Sequence, residues 1–211
     1  MANRKSYRIH LNEDWELEDL YEFPHALSQC YAFVYCLDSA LQPKDRDRIG
    51  FAMREYPWRG GYSYVNIYSV LKNQIPVRDR PKIKAIQKAS PGWLDLFLNI
   101  DVACQLAAAV TIFSGAATAA LASYKKGYQI VQSINAARRS GEIAKMKDAN
   151  AMLKLMNTTS VELAKHLGFK SLKELHQHTS DPEVSMKLLM AHYRRMKVLV
   201  DYAKKGKAKL D

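Results

Sequence analysis

Lys170, Lys173, His176 and Gln177 fall within eight residues of one another, and Arg194, Arg195 and Lys197 follow within a stretch of four. Lysine and arginine neutralise phosphates, and glutamine and histidine hydrogen-bond base edges, so these seven side chains are candidate nucleic-acid contacts. The charge balance points the same way. The net charge is +11, and residues 124–211 carry 18 lysines and arginines against 8 acids, whereas residues 1–95 carry 14 against 12. A basic C-terminal part suits an anionic partner: nucleic acid, an acidic lipid surface or an acidic protein face. Catalytic chemistry has little to stand on. There is no phosphate loop, dinucleotide fingerprint or zinc spacing. His176 and His178 are two apart and point to different sides of a helix, and His10, His25, His166 and His192 are isolated. Cys30, Cys36 and Cys104 make an odd count whose spacings suit neither a metal nor a disulfide framework. They read as small buried thiols. A non-enzymatic binding module without a cofactor or metal is expected.

The element that would position the first group is ELAKHLGFKSLKELHQHT, residues 162–179. Leu163, Ala164, Gly168, Phe169 and Ser171 fall at the spacing of a helix, a tight turn and a second helix. Ala164 leaves room for a crossing helix, Gly168 makes the turn, and Phe169 and Leu175 fill the angle. This stretch resembles the helix-turn-helix of AraC-type transcription regulators. The resemblance covers about 15 of the 211 residues. It implies that the helix from Ser171 enters a major groove with Lys170, Lys173, His176 and Gln177 facing DNA. Glu174 in that helix, and the lack of an arginine there, depart from a good DNA reader. A structural corner is the plainer alternative.

Three capping boxes, Thr159–Glu162, Ser171–Glu174 and Ser180–Glu183, predict helices at about 160–167, 171–178 and 182–205. The last carries Met186, Leu189, Tyr193, Met196, Val200 and Ala203 at alternating spacings of three and four. This short heptad seam would pack in its own chain or join a homo-oligomer. Further upstream, SYRIHL (6–11) and about 82–88 read as two strands. Phe23, Leu27, Tyr31, Val34, Leu37 and Leu41 mark an amphipathic helix, with Pro24 in its first turn or at a kink. QPKDRDR (42–48) reads as a charged loop, and a helix is expected from about Ser63 to Asn73. The acidic run 13–22 reads as a solvated face or as a partner for the basic C-terminal part. EYPWRGGYSYVNIY (55–68) mixes aromatics with arginine and glycine, a turn leading into an aromatic helix face or a stacking or interfacial element.

The central problem is VACQLAAAVTIFSGAATAALAS (102–123), which has no charge. A helix of this length spans the hydrocarbon core of a bilayer. Yet its bulk lies in one stripe, Val102, Leu106, Val110, Phe113 and Leu121, with small residues elsewhere, as in a helix buried between layers. Ser90-Pro91 reads as its start, giving a long helix over about 91–124. The expected fold is therefore α+β and predominantly helical. A small two-stranded α+β region (1–92) precedes the long buried alanine-rich helix (91–124) and a basic helical region (125–211) with its corner at 160–178. MANRKSYRIH lacks an apolar run behind its basic residues, so a cytoplasmic location is expected. The alternative is a membrane-associated interaction protein at an inner membrane, inserting 102–123 and holding anionic headgroups with its basic flank. On the nucleic-acid reading, reversing Lys170 and Lys173 together to glutamate weakens DNA binding several-fold. An unchanged low-salt gel shift would remove the 160–178 corner as a reader.

Overall fold

GWLDLFLN alternates along its whole length: Leu94, Leu96 and Leu98 are buried while Trp93 and Phe97 are half-exposed. That period of two is a strand with one face in a core. The computed structural model describes residues 4–58, 63–87, 91–140 and 149–210. Within these the chain runs β1 (Arg4–Leu11), α1 (Leu17–Cys36), α2 (Pro43–Arg54), α3 (Ser63–Gln74), β2 (Lys82–Gln87), β3 (Gly92–Asn99), α4 (Ile100–Gly115), α5 (Ala117–Arg139), α6 (Ala149–His166), α7 (Lys173–Thr179), α8 (Pro182–Lys204) and β4 (Ala208–Leu210). The fold is α+β and predominantly helical, as expected. Its sheet has four antiparallel strands in the order β2-β3-β1-β4 rather than two. That is the strand order of two interleaved β-α-β units, here with further helices inserted before β2 and before β4. The last strand, 208–210, pairs with β1, so the C-terminal part completes the N-terminal sheet.

α4 packs on β1 and β3, and α1 faces the same side of the sheet across a small apolar cavity of about 140 Å³. α8 is the central helix, in contact with α1, α3, α4, α5, α6 and α7. Its seam residues Met186, Leu189, Tyr193, Met196 and Val200 are all buried against the chain itself. The acidic run meets the C-terminal end within the chain. Asp19 accepts from Lys207 Nζ at 2.7 Å and from the Tyr202 hydroxyl at 2.7 Å, and the Trp15 indole N–H reaches the Lys207 carbonyl at 3.2 Å. Beside Lys207 the Asp19 carboxyl is held down to about 2. Glu13, Asp14, Glu16 and Glu18 remain exposed.

Several local expectations need correction. No helix runs over 91–124. Residues 92–99 are strand, Asn99 caps α4 by accepting from the Asp101 and Val102 N–H groups, and the apolar run breaks at Ala116. Ser90, the expected cap, lies outside the described residues. α4 and α5 meet at 89°, and no single helix among the described residues is long and apolar enough to cross a membrane, although the bent pair passes by length and composition. Val102, Leu106, Val110 and Phe113 are buried in the chain, whereas Leu121 belongs to α5 and is 40% exposed. Residues 43–54 are helix rather than loop, because Pro43 fits a first helical position and Ile49 and Met53, four apart, bury one face. Thr159 does not start a helix. It sits inside α6, which runs through it, and its buried hydroxyl and that of Ser160 have no hydrogen-bond partner among the described residues. The cap of α8 is Asp181, not Ser180, which adopts a left-handed conformation at φ 53.

Two features make stability predictions. Gly168 has φ +84, and a Cβ there would stand 2.8 Å from the Ala109 Cα of α4. Gly168→Ala therefore meets both backbone strain and overpacking, and about 2–4 kcal/mol of destabilisation is expected in urea unfolding. His192 is fully buried against Phe33, ring centroids 4.2 Å apart, and neither ring nitrogen has a hydrogen-bond partner among the described residues. Burial pushes its pKa down to about 3, below the ordinary value near 6.5. The unfolded chain then binds the extra proton between those values, so stability is lost as pH falls from about 6.5 toward 3, at about 1.4 kcal/mol per pH unit from this group. His192→Leu should remove that part of the slope, measured as unfolding free energy against pH beside the parent chain.

Candidate functional site

The alternation that buries three leucines of β3 turns Trp93, Asp95 and Phe97 outward. Cross-strand pairing fixes what lies beside them. Ser6 is opposite Phe97, Arg8 opposite Asp95 and His10 opposite Trp93, while Lys209 of β4 pairs with His10. On the other side, Lys82 is opposite Phe97, Ala85 opposite Asp95 and Gln87 opposite Trp93, with an irregularity between Ile83 and Ala85 that leaves Lys84 as the extra residue. The outward face of the sheet thus carries two large rings among Arg8, Lys82, Lys84 and Lys209, with Asp95 as its acid.

These groups are organised. Arg8 donates to Asp95 through Nε at 2.7 Å and Nη2 at 2.8 Å, and its guanidinium lies over the Trp93 ring, 4.6 Å from the centroid. The fork and the ring together hold a planar cation over an aromatic face. Asp95 is 5% exposed under this cover, and the hydrogen bonds from Arg8 hold its carboxyl below the usual range while raising Arg8. The pair therefore stays charged at every ordinary pH. Lys84 Nζ stands 5.5 Å from the Phe97 centroid. Trp93 and Phe97 stay half-exposed, and Arg8, Lys82, Lys84 and Lys209 are exposed. Rings that stack bases, with cations within reach of a backbone, are the parts of a single-strand binding surface.

The seven candidate contacts, four at the 160–178 corner and three on α8, differ in their surroundings. α7 leans on α2 and α8, and Ala109 of α4 sits at the Gly168 turn. His176 is half-buried and shares a 3.1 Å hydrogen bond with Ser185 Oγ; burial lowers its pKa. Leu175, His178 and Thr179 are buried, and Glu174 approaches Arg46 of α2 at 3.9 Å. Lys170, Lys173 and Gln177 are exposed, and their side chains make no hydrogen bond or ion pair among the described residues. Arg195 turns inward, donating to Gln29 Oε1 at 3.1 Å with its guanidinium 4.8 Å over Tyr68. Lys197 pairs with Asp201 one turn on. Arg194 is exposed and donates weakly to the Tyr124 hydroxyl at 3.3 Å. Only Lys170, Lys173 and Gln177 share one accessible corner, and Arg194 and Lys197 share a face of α8.

The outward face was missed because 92–99 read as the start of a helix, yet its leucine–aromatic alternation was the signal. Among the described residues no three His, Cys, Asp or Glu side chains converge as metal ligands. The sequence matches no known protein-family model, and comparison with curated proteins and with solved structures finds no similar chain.

Proposed function

We propose that the chain is a non-enzymatic module that binds single-stranded nucleic acid on the outward face of its sheet. The observation that carries this reading is the Arg8 guanidinium, clamped by Asp95 and held over the Trp93 ring beside the half-exposed Phe97. Bases would stack on Phe97 and on the Arg8–Trp93 plane. Lys82, Lys84 and Lys209 would neutralise phosphates along the strand, so affinity falls with salt. The net charge of +11 favours such a partner from a distance. A duplex hides its ring faces in the stack and offers them nothing to receive.

The test is fluorescence anisotropy with labelled oligothymidine and oligouridine strands and a labelled duplex at low salt. The parent chain should bind the strands more tightly than the duplex. Phe97→Ala should weaken strand binding about 5- to 150-fold, the equivalent of about 1–3 kcal/mol for one stacked base. Arg8→Ala should weaken it as well. Binding that is indifferent to Phe97 and Arg8 overturns the reading. A loss confined to the K170E/K173E pair would move the contact surface to the 170–177 corner.

A further inference from the structure

Tyr56, Pro57, Trp58 and Tyr64, with side chains of α5 and α8, wall a cleft of about 1220 Å³ that no strand residue lines. Its wall is aromatic. Tyr56 meets Trp58 edge-on at 4.7 Å, Trp58 lies 5.5 Å from Tyr64, and Tyr128 of α5 is 50% exposed. Val131, Val184 and Met190 add apolar surface. Its polar lining divides into groups already satisfied and groups left open. Glu183 is held by Arg138 and Lys187, and Asp181 is engaged in capping α8. The Asn135 amide and the Tyr128 hydroxyl have no hydrogen bond among the described residues. Arg194 has one weak bond, leaving most of its five donors unused.

We propose that this cleft binds a nucleoside phosphate, either free or as the terminal nucleotide of a strand. Three chemistries converge in it. Tyr128, 50% exposed, offers a ring to a planar base, while Trp58 and Tyr64 pack on each other with Lys187 Nζ 5.5 Å over the Tyr64 ring and form the apolar back wall. Asn135 offers a donor and an acceptor together, which matches the edge of a nucleobase. Arg194 offers a fork of donors to a phosphate. The two acids of the lining do not repel that phosphate freely, since one is neutralised by two cations and the other faces backbone N–H groups. Sites for small molecules are of this kind, mostly aromatic and apolar with a few convergent polar groups. The volume takes a nucleotide with its phosphates.

Isothermal titration of the full chain with ATP, GTP, CTP and UTP tests this. At least one should bind with a dissociation constant below 1 mM, and the matching nucleoside without phosphate should bind at least about tenfold more weakly. Arg194→Ala and Asn135→Ala should each weaken binding about tenfold or more while melting like the parent by circular dichroism. Phe97→Ala, on the sheet face, should leave nucleotide affinity unchanged, so this site and the sheet reading stand or fall separately. Competition by a 5′-phosphorylated dinucleotide marks a strand end as the source, and its failure to compete marks the free nucleotide. No binding of any of the four at 1 mM, or binding that ignores both Arg194 and Asn135, overturns the proposal.

Discussion

One strand divides the molecule into its two surfaces. β3 has both neighbours in the sheet, and its side chains must alternate because a strand has a period of two. Leu94, Leu96 and Leu98 go inward, each a contribution of about 1.5–3 kcal/mol when fully buried. Trp93, Asp95 and Phe97 are thereby committed to the other side. A slip of one residue would put an aspartate in the core and three leucines in water, so the register is strongly specified. The strand also ends in its own helix cap. The Asn99 side chain receives the first N–H groups of α4, and the Asn99 N–H donates to the Tyr31 hydroxyl, which donates in turn to the Asp79 carbonyl. The position of α4 and the chemistry of the outward face thus rest on the same eight residues.

The helical layer obeys a second constraint, close approach. The uncharged, alanine-rich composition of α4 has a use that lipid does not explain: Ala109 lets the turn after α6 come so near that only glycine fits at 168. At Gly127 of α5 the approach is looser, since an added Cβ would stand 3.4 Å from Met190 Sδ and 3.7 Å from Thr159 Cγ2, ordinary contact distances. The polar groups trapped in this layer are compensated unevenly. Thr179 and Ser185 share a 2.6 Å hydrogen bond, while Thr159, Ser160, Tyr68 and His192 have buried polar atoms without hydrogen-bond partners among the described residues. An unpaired buried group opposes folding by about 1–3 kcal/mol, so the dense apolar packing around α8 must outweigh several such terms.

Elements with a one-dimensional signature were legible in the sequence. β1, β2, α3 and α8 lie within a few residues of where alternation, turn residues and the seam place them, and Gly168 holds the left-handed turn assigned to it. Failures arose where two signals competed. Ser90-Pro91 followed by an uncharged run looked like a helix start, and the shorter alternation of GWLDLFLN was overridden. The 89° turn in VTIFSGAATAA falls at Ser114-Gly115, a weak breaker with no proline beside it; α4 must lie on the sheet and α5 must follow α6 and α8, and that demand is tertiary. Pro43 and Asp45 were hidden by a run of charges. The capping box at Thr159 satisfied a pattern that an established helix simply ran through. Most importantly, the face that joins Arg8 to Trp93 draws on residues 85 apart, and no local reading brings them together.

Charge alone does not choose the working surface. Many of the basic side chains of the C-terminal part are answered within the chain: Lys207 by Asp19, Arg138 and Lys187 by Glu183, Lys126 by Glu162 and Lys197 by Asp201. Exposed lysines without such partners occur both at the 170–173 corner and on β2. What separates these places is the company the cations keep. At the corner, lysines stand beside a glutamine and a helix whose other side chains are buried or half-buried. On the sheet they stand beside two half-exposed rings and a guanidinium whose orientation is already fixed, so little conformational entropy is lost when a planar partner arrives. A phosphate chain would be attracted to either place, but only the second also offers its bases somewhere to lie.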